Sequence, residues 1–338
     1  MSRVRPVPRW LRVGRAVGLT RAASAALRGH PTILMYHGVA DDPLPHRKFF
    51  PNDAFVRHLD AIGDRYTVVS MERIVRWIES DDPLPPHAIA ITFDDAYANL
   101  LQRAVPELIR RGMPATIYAT SVSFEDRCGL LWFDEVESRI FDAGPFPKQL
   151  TLAGHVFELP QNATGPLASG AITRAMKKIP HSERERVIAA LAAAYPEQPG
   201  VRERYRLLDR DELRAIASSG IEIGGHTVTH AILRHEDLEA RRRAISSNFE
   251  AIKDITGVAP VTFAYPDGRA NDVTRETVGI VRSSGFRAAV TAESGIVRQR
   301  NNRFAVPRFS ANFFGAYGLG DQLALLPLRI ALNAVKPW

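Results

Sequence analysis

Ala88-Ile89-Ala90-Ile91-Thr92-Phe93-Asp94-Asp95 is an apolar, strand-compatible run closed by two carboxylates. A chain seldom ends such a run in paired acids without a use for them, because charged side chains are costly beside a core. A second stretch has the same form: Ile221-Glu222-Ile223 leads into Gly225-His226-Thr227-Val228-Thr229-His230. If residues 226–230 begin a helix, the i, i+4 spacing stacks both imidazoles on one face, one turn apart. Two histidines and one carboxylate are a recurrent ligand set for a catalytic divalent metal with an open coordination position. The spare aspartate can then act as general base on water activated by that metal. Each half alone has a plainer reading, Asp-Asp as a loop start or helix cap and the histidine pair as ordinary surface or core residues. Both halves, however, end strand-like segments, which is where α/β sheets and barrels collect catalytic groups.

Further strand-like runs lie at 32–37, 66–69, 115–119, 261–265 and 286–290, with helical patterns at 53–64, 71–79, 98–111, 210–219, 236–256 and 273–284. Alternation of this kind predicts a parallel sheet or barrel. Gly112, Gly220, Gly257 and Gly285 each follow a helical run, where a C-terminal cap is expected. About seven strands fit an α/β fold of the distorted (β/α) barrel type. Residues 126–205 break the rhythm, with a hairpin pattern over 150–159 and a helical pattern over 171–194. They read as an inserted subdomain projecting near the active face, either a packing elaboration or a lid or wall of the substrate cleft. The organisation expected is an arm over 1–30, a barrel over 31–315 with that insertion, and an apolar tail over 316–338.

Thr92-Phe93-Asp94-Asp95, His226-Thr227-Val228-Thr229-His230 and Phe263-Ala264-Tyr265-Pro266-Asp267-Gly268 resemble three ordered motifs of the polysaccharide deacetylases, the NodB-like carbohydrate esterases. The resemblance covers roughly residues 31–125 and 205–310. It implies that Asp94 is the catalytic base and that Asp95, His226 and His230 bind one divalent metal, zinc in ordinary preparations, with cobalt or nickel able to substitute. It also implies an oxyanion contact from the backbone N–H of Asp267 in a turn shaped by Pro266 and Gly268, with Tyr265 beside it. Ala264 departs from the pattern: many members have an arginine there that orients the base. Arg308 is the candidate replacement, its alternative being a surface arginine. The family's late histidine acid is also missing, since the last histidine is His235. Ile33-Leu34-Met35-Tyr36-His37 has that motif's form at the start of the chain, similar to members with a permuted closing strand. His37 is therefore the expected acid, the alternative being a strand-end cap. Tyr97 and Trp132 are candidates for stacking on sugar rings, or core residues, the latter reading favoured for Trp132. His46, His58, His87, His155, His181 and His235 show no partner pattern and are expected at the surface.

The function expected is removal of acetyl groups from an N-acetylated sugar in cell-envelope or exopolysaccharide biosynthesis. The alternatives are an O-acetyl carbohydrate esterase, a catalytically degenerate carbohydrate-binding protein, and a metal phosphoesterase, which usually needs more ligands or a second metal. The single cysteine, Cys128, excludes an internal disulfide and a Cys-based zinc site. The net charge of +7 is matched by seven arginines in residues 1–30, which contain no acid and no lysine, so the remainder is close to neutral. That argues against a nucleic-acid-binding body. No stretch approaches the ~18 apolar residues of a membrane span, and arginines interrupt every apolar run of the N-terminus. A cytoplasmic location is expected. Residues 8–28 can form a helix, and the basic arm beside an apolar tail is compatible with peripheral docking on an anionic membrane, where an N-acetylated glycan or lipid-linked sugar would be the partner. The alternative, and the favoured reading, is a disordered Arg-rich arm and a C-terminal helix packed on the barrel.

Overall fold

A computed structural model describes residues 29–41, 49–80, 82–124, 129–197, 200–299 and 302–311. The arm helix expected over 8–28, the tail over 316–338, His46 and Cys128 fall outside the described residues. The strands are β1 (Thr32–Tyr36), β2 (Val39–Ala40), β3 (Phe50–Pro51), β4 (Thr67–Val68), β5 (Ala88–Phe93), β6 (Ala115–Ala119), β7 (Gln149–Leu152), β8 (His155–Glu158), β9 (Glu222–Gly225), β10 (Thr262–Ala264), β11 (Ala288–Val290) and β12 (Phe309–Ser310). Seven of them form one parallel path, β11-β10-β9-β6-β5-β1-β12, and β4 adds to the first half of β5. Val306 bridges Val290 in parallel, and Phe309 and Ser310 pair with Leu34 and Met35. Residues 303–310 thus join the two ends of the path, and the fold is a distorted α/β barrel.

Every residue of β5 is buried, as expected of a parallel strand covered on both faces. Its alternation sorts two cores. Ile89, Ile91 and Phe93 pack outward with Leu34, Tyr36, Phe55, Leu59 and Leu108. Ala88 and Ala90 face the other way, with Ile33, Tyr118, Ala264, Val290 and Val306. The helices between strands follow from amphipathic stripes and caps. Leu238–Thr256 buries Ile245, Asn248, Phe249, Ile252 and Ile255, starts at Asp237, whose carboxylate accepts the Ala240 N–H, and ends at Gly257 in the left-handed region.

Two expected helices are each divided. The pattern over 98–111 becomes Asn99–Gln102 and Ala104–Arg110, because Pro106 has no N–H to bond back to residue 102. The pattern over 171–194 becomes Gly165–Met176 and His181–Ala194, with Pro180 at the second N-cap. These two, the helix Trp132–Ile140 and the β7–β8 hairpin enclose a core of their own, built from Val136, Ile140, Phe157, Ile172, Val187 and Leu191. Ile232, two residues after His230, joins that core and anchors the insertion to the barrel. No helix among the described residues is long and apolar enough to cross a membrane.

Candidate active site

The three motifs meet beyond the C-terminal ends of β5, β9 and β10. Asp95 follows β5, and its Oδ1 lies 3.4 Å from His226 Nε2 and 3.5 Å from His230 Nε2. One donor atom from each of the three falls within 4.8 Å of the others. His226 is fixed from behind: its Nδ1 is 2.7 Å from the Ala264 carbonyl. A neutral ring must donate from Nδ1 there, which turns the Nε2 lone pair toward Asp95. The backbone N–H of His226 donates to Asn248 Oδ1 and the Ala119 carbonyl. The donor set is two imidazoles and a carboxylate, with a tautomer set for ligation, and it fits a divalent cation.

Residues 226–230 are not the start of a helix. The segment is irregular, with Thr227 at φ 65° and His230 at φ 55°. Its backbone is bonded to neighbours, Thr227 O accepting from Ser121 N–H and Thr227 Oγ1 from Ala231 N–H. The imidazoles converge through this turn, ring centroids 4.8 Å apart and nearly perpendicular. Asp95, Ala96 and Asp267 also have left-handed φ. Thus five of the eight described non-glycine residues with positive φ sit in the three site turns, where strain is characteristically stored.

Arg308 reaches Asp94 from the closing segment. Its Nη1 donates to Asp94 Oδ1 at 2.6 Å and to Thr92 Oγ1 at 3.2 Å, its Nη2 to Asp94 Oδ2 at 2.8 Å, and its Nε to the Thr291 carbonyl at 2.9 Å. Both partners are buried. Burial by itself would raise the Asp94 pKa. The Arg308 charge and hydrogen bonds, with His226 and His37 adding attraction, outweigh it and hold the carboxyl below the usual range. His37 leaves β1 directly beside the end of β5, where Tyr36 pairs with Phe93 and the Tyr36 carbonyl accepts the Asp94 N–H. It is half-buried, on the same end of the barrel as Asp94.

Other expectations are corrected. Tyr97 is fully buried and its hydroxyl donates to Asp134 Oδ2 at 2.7 Å, so its ring has no face to offer a sugar. Tyr265 is buried among Phe263, Ile280 and Phe286, and its hydroxyl donates to the Phe304 carbonyl. Its side chain therefore belongs to the core. Trp132 is buried as well, which agrees with the core reading favoured for it. His58 is not a surface residue: it lies against Phe50, sharing a 2.8 Å hydrogen bond with the Tyr36 hydroxyl. Asp267 carries an ion pair with Lys177 of the insertion. Burial pushes the Asp267 pKa up, but the Lys177 bond and charge bring it below the ordinary value.

Lys177 and Asn248 gave little sign of themselves in the sequence. Asn248 sits on the apolar stripe of its helix between Ile245 and Ile252, and a polar residue on a buried stripe is the one signal that marked it. It is fully buried, and its Nδ2 donates to the Ala119 carbonyl and Ser121 Oγ.

A sequence model described as Polysaccharide deacetylase matches residues 81–289, well over half of the chain. YxkH of Bacillus subtilis (strain 168), provisionally named a polysaccharide deacetylase, is 20% identical over 292 residues, covering 84% of this chain and 75% of that protein. Among solved structures, the Streptococcus pyogenes deacetylase PplD in complex with acetate is similar with a TM-score of 0.56 at 16% identity, covering 91% of this chain and 99% of PplD. IcaB from Ammonifex degensii gives a TM-score of 0.53 at 16% identity, covering 88% and 97%. At these identities the solved structures support the fold.

Proposed function

We propose that this chain, which belongs to the polysaccharide deacetylase family, is a metal-dependent hydrolase that removes acetyl groups from an N-acetylated sugar of the cell envelope or an exopolysaccharide. Family membership supports the coarser statement, a hydrolase acting on acetylated polysaccharide. The observation behind the finer one is the convergence of Asp95, His226 and His230 next to an ionised Asp94 clamped by Arg308.

Asp95, His226 and His230 would hold a divalent ion, zinc with cobalt or nickel as substitutes, which when bound polarises the acyl carbonyl and lowers the pKa of water to roughly 7. Asp94 takes a proton from the attacking water. Arg308 keeps both its oxygens in place and keeps it ionised before that transfer. The turn at Asp267, left-handed at φ 59°, supplies the backbone N–H assigned to the developing oxyanion. An amide nitrogen is a poor leaving group until protonated, so C–N cleavage needs an acid. His37, half-buried beside Asp94, is assigned that role, and the need for it favours an amide over an ester.

Acetate release from a panel of N- and O-acetylated glycans, with zinc, cobalt or nickel added, tests the reading. Wild type should release acetate from N-acetylated substrates in a metal-dependent way, and His226→Ala should release none. Asp94→Asn should keep its metal and lose ~10²–10⁴-fold in turnover. Release from O-acetyl substrates alone, or release unaffected by chelation, would overturn it. The arginines of residues 1–30 are the basis for placing the protein at an anionic cytoplasmic leaflet, near a lipid-linked substrate. Salt-sensitive sedimentation with anionic vesicles, lost on deleting residues 1–30, is the expected result. Equal sedimentation by the truncated chain would remove that placement.

A further inference from the structure

His226 is oriented by the barrel itself, through Ala264, Asn248 and Ala119. His230 stands on a left-handed turn outside the strands, and three consecutive residues of the insertion meet that turn and its neighbour. Trp132 Nε1–H donates to the His230 carbonyl at 3.3 Å. The Phe133 ring lies edge-on to the His230 imidazole, centroids 5.0 Å apart at 88°. Asp134 accepts the Tyr97 hydroxyl, two residues after Asp95. Successive residues of a helix point about 100° apart, so one helical turn at the start of Trp132–Ile140 reaches three separate groups. Trp132 is braced from its other side by the Arg184 guanidinium, 5.1 Å from the ring centroid. Arg184 is itself fully buried and ion-paired to Glu236 at 2.9 Å.

We propose that the inserted subdomain completes the metal centre, with Trp132, Phe133 and Asp134 as positioning residues for His230 and for the Asp95–Tyr97 turn. The proposal rests on the reading of Asp95, His226 and His230 as metal ligands. A left-handed histidine is held only where its surroundings over-determine it. The indole bond fixes the His230 backbone and the Phe133 edge limits rotation of its ring. Asp134 ties the turn after Asp95 to the same helix. A ligand ring free to rotate must be ordered each time it binds, and groups of this outer kind typically change metal affinity by ~10–100-fold. On this view the insertion is part of the ligand cage, as well as any wall it makes for the substrate.

The test is a titration of the full chain with cobalt(II), read by visible absorption, in wild type, Trp132→Phe, Phe133→Leu, Asp134→Ala (which removes the acceptor of the Tyr97 hydroxyl) and Val187→Ala. Val187 lies in the core of the insertion and loosens it without touching the three contacts. Wild type should bind one equivalent. Trp132→Phe and Phe133→Leu should each bind about 10–100-fold more weakly and with an altered ligand-field spectrum, while Val187→Ala stays near wild type. Should Trp132→Phe fail to fold, Phe133→Leu and Asp134→Ala, each expected to bind more weakly than wild type, carry the same comparison. Wild-type binding with unchanged affinity and spectrum in the variants would overturn the proposal and leave the ligand assignment standing. Equal weakening by Val187→Ala would also overturn it, since general loosening would then suffice. A wild type that binds no cobalt would remove the ligand assignment and this proposal with it.

Discussion

Arg308 grips both carboxylate oxygens of Asp94, at 2.6 and 2.8 Å, across 214 residues of chain. The planar fork of a guanidinium matches a carboxylate in this way and a lysine cannot reproduce it. The family match ends at residue 289, so the clamp comes from beyond it, delivered by the segment that closes the barrel. Ala264 lacks the arginine of the family's pattern, and a buried cation from the closing segment, one residue before β12, stands against the base.

Replacing that cation should show in both rate and pH dependence. Arg308→Lys keeps the charge and loses one of two charge-assisted bonds, each worth about 1.5–3 kcal/mol, so kcat/KM should fall about 10- to 100-fold. Asp94 is held low against a burial effect that raises it. Weakening the clamp should therefore move the acidic limb of the kcat/KM profile to higher pH. An unshifted limb with full activity in Arg308→Lys would show that the clamp is dispensable.

His37 is predicted to act on the opposite limb. His37→Ala should lower kcat by ~10²–10⁴-fold and flatten the fall in rate at basic pH, because an acid must be protonated to work. Metal content should stay at the wild-type level. A basic limb that survives the substitution would send the search for the acid elsewhere.

The strands were legible where parallel strands buried on both faces read as continuous apolar runs, as β5 does; β9 was read instead from the isoleucines flanking Glu222 and the histidine motif that follows. The ligand trio could be named from residue types alone. The conformation that unites it could not: Thr227 adopts positive φ while bonded to Ser121 and Ala231, and His230 while its carbonyl accepts from the Trp132 indole, contacts that no i, i+4 spacing encodes. Aromatic roles were equally opaque. Tyr97 and Tyr265 sit next to site residues in sequence, yet the turns that follow β5 and β10 direct both rings into cores. Arg308 was identifiable only as compensation for Ala264, since nothing local distinguishes it from a surface arginine.

Gly225 is predicted to be intolerant of any side chain. A Cβ there would fall 2.5 Å from Phe286 Cζ and 2.8 Å from Asn248 Oδ1. Asn248 would have to give up the His226 N–H, and the ring would lose its seat. Gly225→Ala should cost about 1–3 kcal/mol in stability and weaken metal binding about tenfold or more. Denaturation and cobalt titration of the same preparation check both. Undiminished metal affinity would show that Asn248 does not hold His226.

His58 should make the fold acid-sensitive. Burial, with the Arg57 charge adding to it, pulls its pKa from 6.5 down to about 3. Between those values the unfolded chain binds a proton that the native state refuses. Stability therefore rises with pH across this window, and it is lost as pH falls below 6.5, at about 1.4 kcal/mol per pH unit. From pH 6.5 to pH 5 that is about 2 kcal/mol. The same ring shares a hydrogen bond with the Tyr36 hydroxyl, one residue before His37. His58→Gln keeps a hydrogen-bonding group and does not titrate. Urea denaturation at pH 8 and pH 5 should show the wild type losing about 2 kcal/mol more than His58→Gln over that range. Parallel losses in the two proteins would mean that the native state accepts the proton, through a local opening at the Tyr36–His58 contact.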